Sequence, residues 1–140
     1  MLVEQIWTAN PYRNFNYLVA CPETGEALAI DPLDHAKCLA RAQALGWQIT
    51  QVFNTHEHPD HIGGIVTGEG KLAFPRARYV MWQREWEFWI QNPDLSPLHV
   101  PDWIKTALVD SAQRNLPPLA GRVDLVNQER EIVPGIRAIA

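Results

Sequence analysis

The chain has 140 residues, of which 46% are hydrophobic and 20% charged, a composition that supports a buried core and excludes a disordered segment. Its net charge of −4 and the absence of any Lys/Arg cluster exclude the electrostatic footprint of a nucleic-acid-binding protein. No apolar run approaches the roughly 20 residues that cross a bilayer, so neither nucleic acid nor membrane is expected as a partner.

In chain order, Met1-Leu2-Val3-Glu4 lacks a basic segment ahead of an apolar run and reads as the start of a strand rather than a secretory leader. Leu2 to Trp7 and Phe15 to Ala20 are strands rich in aliphatic, aromatic and β-branched residues. Pro22-Glu23-Thr24-Gly25 turns the chain into a third strand, Glu26 to Asp31. Asp34 is placed to cap a helix over His35 to Leu45, with Ala36, Leu39, Ala42 and Leu45 on its apolar face and Gly46 as its left-handed stop. Gln48 to Phe53 is the next strand.

Further on, Arg78 to Met81 predicts a short strand and Gln83 to Gln91 a helix, broken by Asn92-Pro93-Asp94. Pro101 opens a second helix that runs to about Arg114, with Trp103, Ile104, Ala107, Leu108 and Ser111 along one side. Arg122 to Val126 and Ile136 to Ala140 read as strands, with Pro134-Gly135 as a turn. There is no repeat, low-complexity tract or linker, so residues 1–140 are expected to form a single α/β domain. Cys21 and Cys38 lack metal-ligand spacing. They are expected to be unpaired, small buried hydrophobes in a cytoplasmic chain.

The chemistry concentrates in Thr55-His56-Glu57-His58-Pro59-Asp60-His61-Ile62-Gly63-Gly64, directly after an apolar strand. Residues two apart in an extended loop project the same way, so His56 and His58 can grip one metal ion. Asp60 and His61 fall where a following helix begins and can face a second ion. Imidazole and carboxylate suit zinc, and equally iron or manganese. Gly63 and Gly64 allow close backbone approach. Trp82, Trp86 and Trp89 recur at one face of a predicted helix, where packing against the sheet is favoured over an aromatic wall for a substrate. His35, on a predicted helix, and His99, in a Pro-flanked loop, are expected to be surface or packing residues.

His56-x-His58-x-Asp60-His61, extended by Thr55 and Gly63-Gly64, resembles the H-x-H-x-D-H signature of the metallo-β-lactamase superfamily. Ala29-Ile30-Asp31-Pro32 resembles that superfamily's first motif, whose Asp braces the histidine loop from behind. With Phe15-Asn16-Tyr17-Leu18-Val19 and Phe53-Asn54-Thr55-His56, residues 1–64 look most like glyoxalase II, the hydroxyacylglutathione hydrolase. The segments from Phe74 to Trp89 and from Leu119 to Ile136 resemble the broader metallo-hydrolase and lactonase-type members.

The resemblance implies the N-terminal half of an αβ/βα four-layer sandwich: a mixed sheet with flanking helices, binding one or two zinc ions (iron or manganese as alternatives). It further implies that His56, His58, Asp60 and His61 are metal ligands, that Asp60 helps orient the nucleophile, and that Asp31 and Thr55 support them. The activity implied is hydrolysis of a small-molecule thioester such as hydroxyacylglutathione, or a related ester, by metal-activated hydroxide. A lactone hydrolase or an iron-dependent sulfur dioxygenase is the alternative within the superfamily. Members normally continue beyond a strand like Ile136 to Ala140 into further metal ligands. A truncated domain is therefore expected, against completion of the site by another subunit of a homo-oligomer. The reading of another class is an inactive half-domain acting as a metal-binding or assembly module.

Overall fold

Side-chain alternation along the central strands sorts their apolar residues into two layers. Ala27, Ala29, Tyr79 and Met81 face one side, while Leu28 and Val80 face the other, the period of two that a pleated strand imposes. The computed structural model describes residues 1–91 and 93–139. Among these, β1 (Leu2–Trp7), β2 (Phe15–Ala20), β3 (Glu26–Ile30), β4 (Gln48–Phe53), β5 (Arg78–Trp82) and β6 (Val123–Val126) form one sheet in that spatial order. The first three strands are antiparallel neighbours; β3 to β6 run parallel. Helices α1 (His35–Leu45), α2 (Pro59–Ile62), α3 (Gln83–Ile90) and α4 (Asp102–Asn115) contribute Cys38, Ala42, Ile62, Trp89 and Ala112 to the first layer. A separate hairpin, β7 (Arg130–Val133) and β8 (Ile136–Ala138), packs Ile132, Val133, Ile136 and Ala138 over Leu28, Phe53, Val80 and Val126 on the other face.

Parallel pairing is what assembles the site. Ile30 sits opposite Phe53 and Phe53 opposite Val80, so the chain leaves β3 at Asp31 and β4 at Asn54 from adjacent strand ends. Ligands in open α/β sheets gather at such carboxyl ends. The crossover between these strands is α1. Its N-terminus is capped by Asp34, whose carboxylate accepts from Lys37 N at 3.0 Å, and Gly46 ends it at φ 70°.

Several details depart from the sequence expectations. The buried stripe of α1 runs through Cys38 and Ala42, while Leu39 is exposed. Ala42 is common to the expected and the observed stripe, but Cys38 takes the inward position next to it in place of Leu39. On α4 the solvent-facing residue is Trp103, 72% exposed, and the inward side carries Leu108, Val109 and Ala112. Trp82 does not share a helical face with Trp86 and Trp89. It closes β5 and packs on the hairpin side, whereas Trp86 and Trp89 pack in the helix layer. Strand β7 had no expected counterpart. Asn92, expected to break a helix, and Ala140, expected to end a strand, lie outside the described residues. No helix among the described residues is long and apolar enough to cross a membrane.

Both thiols are unpaired, but only Cys38 is buried; Cys21 is exposed, contrary to the expectation for it. It follows β2 where the chain leaves the sheet for the turn. Burial pushes the Cys38 thiol up to about 12, with Asp34 adding to the effect. Hydrogen bonds from Thr24, with a further one from Glu23, hold the Cys21 thiol below its usual range. Because the thiolate is the nucleophile, the native chain should consume one equivalent of a disulfide reagent such as DTNB. The reaction should reach half its maximal rate at a pH below that of free cysteine. The second equivalent should react only in denaturant. Two fast equivalents from native protein would contradict the packing of α1.

Candidate metal centre

The site is built on a turn that follows β3. Asp31 stands at φ 45°, one of three non-glycine residues with positive φ among those described. Its backbone is fixed on both sides: Asp31 N donates to Phe53 O at 3.0 Å, and its carbonyl accepts from the fully buried Asn16 Nδ2 at 2.6 Å. Asn16 Oδ1 in turn accepts from Asp34 N at 2.9 Å. The turn presents the Asp31 carboxylate to the histidine loop. Oδ1 accepts from Thr55 N at 2.8 Å and Oδ2 from Thr55 Oγ1 at 2.7 Å. His61 Nδ1 lies 2.9 Å from the same Oδ2, off the line of an aligned hydrogen bond, and that buried nitrogen has no other partner.

These contacts assign the imidazole protons. Thr55 has one hydroxyl proton and gives it to Asp31, so at 2.9 Å from His56 Nδ1 its oxygen accepts. His56 therefore carries its proton on Nδ1 and a lone pair on Nε2. His61 Nδ1 faces a carboxylate, which places its proton there and its lone pair on Nε2. His56 Nε2, left with its lone pair, accepts from His58 Nδ1, while His58 Nε2 lies 3.6 Å from Glu57 Oε1. His56 Nε2 and His58 Nδ1 are 3.1 Å apart, and the His56 and His61 rings are 4.0 Å apart between centroids. Two nitrogens of a tetrahedral zinc, each about 2.0–2.1 Å from the ion, lie roughly 3.3 Å apart. Asp60 Oδ2 and His61 Nε2, in the four-residue α2, are separated by 3.6 Å, near the spacing for a second ion.

The electrostatics match this donor set. Burial, reinforced by His61 and His58, holds His56 below the ordinary imidazole range, so the ring is neutral. Burial opposes ionisation of Asp60, yet the hydrogen bond from Asn14 and the nearby imidazoles outweigh it and bring the carboxyl below its usual range. The residue pairs His56/His58 and Asp60/His61 could therefore each hold an ion. Among the described residues, no three His, Cys, Asp or Glu side chains converge on one position. His35 opens α1 and His99 lies in an exposed loop.

Five polar residues around the loop were missed at the sequence level. Asn14 Nδ2 donates to Asp60 Oδ2 at 2.9 Å, and Asn54, 1% exposed, donates to the His61 carbonyl at 3.3 Å. Glu57 is buried, its Oε1 3.6 Å from His58 Nε2, and Glu85 of α3 reaches it. Burial and the Glu57 carboxylate push the Glu85 carboxyl up, while Trp89 Nε1 donates to Glu85 at 3.2 Å. Asn16 carried a readable signal: it is a polar residue at an inward position of an otherwise apolar strand. Trp86 and Trp89 serve packing in the helix layer.

A family model described as the metallo-beta-lactamase superfamily matches residues 16–138. The chain belongs to this superfamily. Proteins named hydroxyacylglutathione hydrolase are similar to it over part of its length. One from Nitrosococcus oceani is 71% identical over 83 residues, covering 56% of this chain and 32% of that protein. Another from Polaromonas sp. is 78% identical over 82 residues, covering 55% and 31%. The matched stretch thus spans about a third of these curated relatives.

Solved superfamily structures show the same fold at lower identity. A dizinc quorum-quenching lactonase, AidC, superposes with a TM-score of 0.65 at 23% identity, over 86% of this chain and 45% of that one. A probable metal-dependent hydrolase from Staphylococcus aureus gives 0.61 at 22% identity, over 94% and 52%.

Gly64 joins the superfamily loop to the Asp31 turn. A Cβ there would overlap the backbone carbonyls of Pro32 and Leu33, which cannot rotate away as a side chain could. Gly63 ends α2, its N–H donating to Pro59 O at 3.0 Å. Gly64→Ala should therefore destabilise the chain by about 2–3 kcal/mol, the upper range for overpacking, read from the urea midpoint. A change within about 0.5 kcal/mol, the ordinary surface range, would show that the two segments are not in contact.

Proposed function

We propose that residues 1–140 form one metallo-β-lactamase-like domain whose histidine loop belongs to a metal centre hydrolysing a thioester of the hydroxyacylglutathione kind, or a related ester. The observation that carries this reading is the proton assignment. His56 and His61 each have an oxygen facing Nδ1, which leaves Nε2 unprotonated, and His58 Nδ1 meets His56 Nε2 at 3.1 Å, near the spacing of two nitrogens on one ion. Such backing by oxygen acceptors orients metal-binding imidazoles and raises their basicity. The relatives named hydroxyacylglutathione hydrolase support the thioester as substrate class.

In this reading His56 and His58 hold one ion and Asp60 and His61 another, while Asp31 and Thr55 fix the rings. The N/O donor set suits zinc, and iron or manganese would meet the same ligands. Bound metal supplies Lewis acidity, lowering the pKa of water and polarising a carbonyl. Asp60, ionised at neutral pH, accepts a hydrogen bond from the attacking water and aims its oxygen at the carbonyl carbon. The carbon–sulfur bond then breaks and the departing thiolate takes up the proton. A second reading, a half-domain that binds metal weakly or serves assembly with another subunit, is favoured by the absence of a third converging ligand among the described residues.

Measuring metal per purified chain, and hydrolysis of a glutathione thioester and of a lactone beside His58→Ala, separates the two. The hydrolase reading expects at least one zinc per chain and thioester turnover that falls a hundredfold or more in the variant. Metal-free, inactive protein favours the half-domain. Activity that survives His58→Ala overturns the site.

A further inference from the structure

Asn14 ends the loop between β1 and β2 and lies 46 residues from Asp60 in sequence, yet it is the one side-chain donor to the Asp60 carboxylate among the described residues. The loop around it is built to hold it. Asn14 O accepts from both Thr8 N at 3.2 Å and Thr8 Oγ1 at 2.8 Å, and Asn14 N donates to Asn10 Oδ1 at 3.3 Å. Thr8 is itself buried, and its carbonyl accepts from Lys37 Nζ of α1 at 2.6 Å. Ala9 and Arg13, near the two ends of this loop, stand at φ 60° and 59°. Left-handed backbone at residues other than glycine persists only where the surroundings enforce it.

The side chain is left with a single task. An ionised carboxylate offers no donor, so the amide must present Nδ2 to Asp60, and Oδ1 is then buried with no partner. A buried acceptor without a partner is destabilising. An amide tolerating that cost while spending its donor on Asp60 is placed for Asp60, not for loop stability. The same oxygen, Oδ2, is the one 3.6 Å from His61 Nε2. Asn14 thus occupies one lone pair of Oδ2 and leaves another on the His61 side.

We propose that Asn14 is a positioning residue for the second ion, setting the rotamer of Asp60 so that Oδ2 and His61 Nε2 act as one chelating pair. This rests on the metal-centre reading above and adds a residue from the first hairpin to it. It predicts that the His56/His58 pair is indifferent to Asn14 while the Asp60/His61 pair is not.

The test is Co2+ titration of the metal-free chain, followed by visible absorption and by competition with a chelator. The variants are Asn14→Ala, Asp60→Ala and the double variant, with circular dichroism as the fold control. Asn14→Ala should weaken uptake of the ion that depends on Asp60 by about ten- to a hundredfold, the usual effect of losing a ligand's partner. Uptake that survives in Asp60→Ala should be unchanged. The double variant should bind no more weakly than Asp60→Ala alone. Additive losses would mean that Asn14 acts only through general structure, and would overturn the proposal. Undiminished binding by Asn14→Ala also overturns it while leaving the metal reading intact. No Co2+ uptake by the unaltered chain overturns both. If Asn14→Ala does not fold, Asn14→Leu, which keeps the volume and lacks the donor, takes its place in the cycle.

Discussion

The Asp31 carboxylate is the contact on which the site depends. Four groups converge around this one residue: the β3–β4 register, the Asn16 amide, the Thr55 hydroxyl and the His61 ring. Its left-handed backbone costs about 1–3 kcal/mol. Hydrogen bonds to a charged group contribute roughly 1.5–3 kcal/mol each, and Asp31 accepts two from Thr55. The balance favours the strained turn. The strain is useful because it brings both carboxylate oxygens round to a loop arriving from the neighbouring strand. From there, control passes outward: Asp31 orders Thr55, Thr55 sets the proton of His56, and Asp31 itself sets that of His61.

The two-layer arrangement explains why this control is available at one edge only. Helices cover one face of the sheet and the β7–β8 hairpin covers part of the other. The parallel strands β3, β4 and β5 all deliver their carboxyl ends to the same rim. The histidine loop follows β4, Asp31 follows β3, and Glu85 follows β5 on α3 and meets Glu57 from the opposite side. The loop is therefore gripped between its neighbours' termini. Gly64 completes the grip because nothing larger fits against the Pro32 and Leu33 carbonyls.

Much of this was legible in the residues. Strands β1 to β5 and helices α1, α3 and α4 follow from periodicity and capping residues, since burial on one face writes itself into spacing. The His56, His58, Asp60 and His61 cluster was legible as side chains of metal-binding type directly after an apolar strand, and Asp31 as the residue bracing that loop through its resemblance to the superfamily's first motif. Strand β7 was not, because Arg-Glu-Ile-Val alternates too briefly and stays half exposed. The exposure of Trp103 and Cys21 depends on which element lies opposite, which spacing within one segment cannot specify. Asn14 and Glu85 escaped notice for a related reason. Each meets the loop from a different element, 46 residues before Asp60 in one case and on α3 in the other, so their role exists only once the sheet has folded.

The proton assignment is the central claim, and long-range proton–nitrogen NMR of the histidine rings in the metal-free chain tests it most directly. The account predicts Nδ1-protonated rings for His56 and His61, and a His58 Nδ1 proton shared with His56 Nε2, with zinc shifting His56 Nε2 and displacing that proton. Nε2-protonated His56 or His61, or zinc shifts at the outward nitrogens, would contradict it.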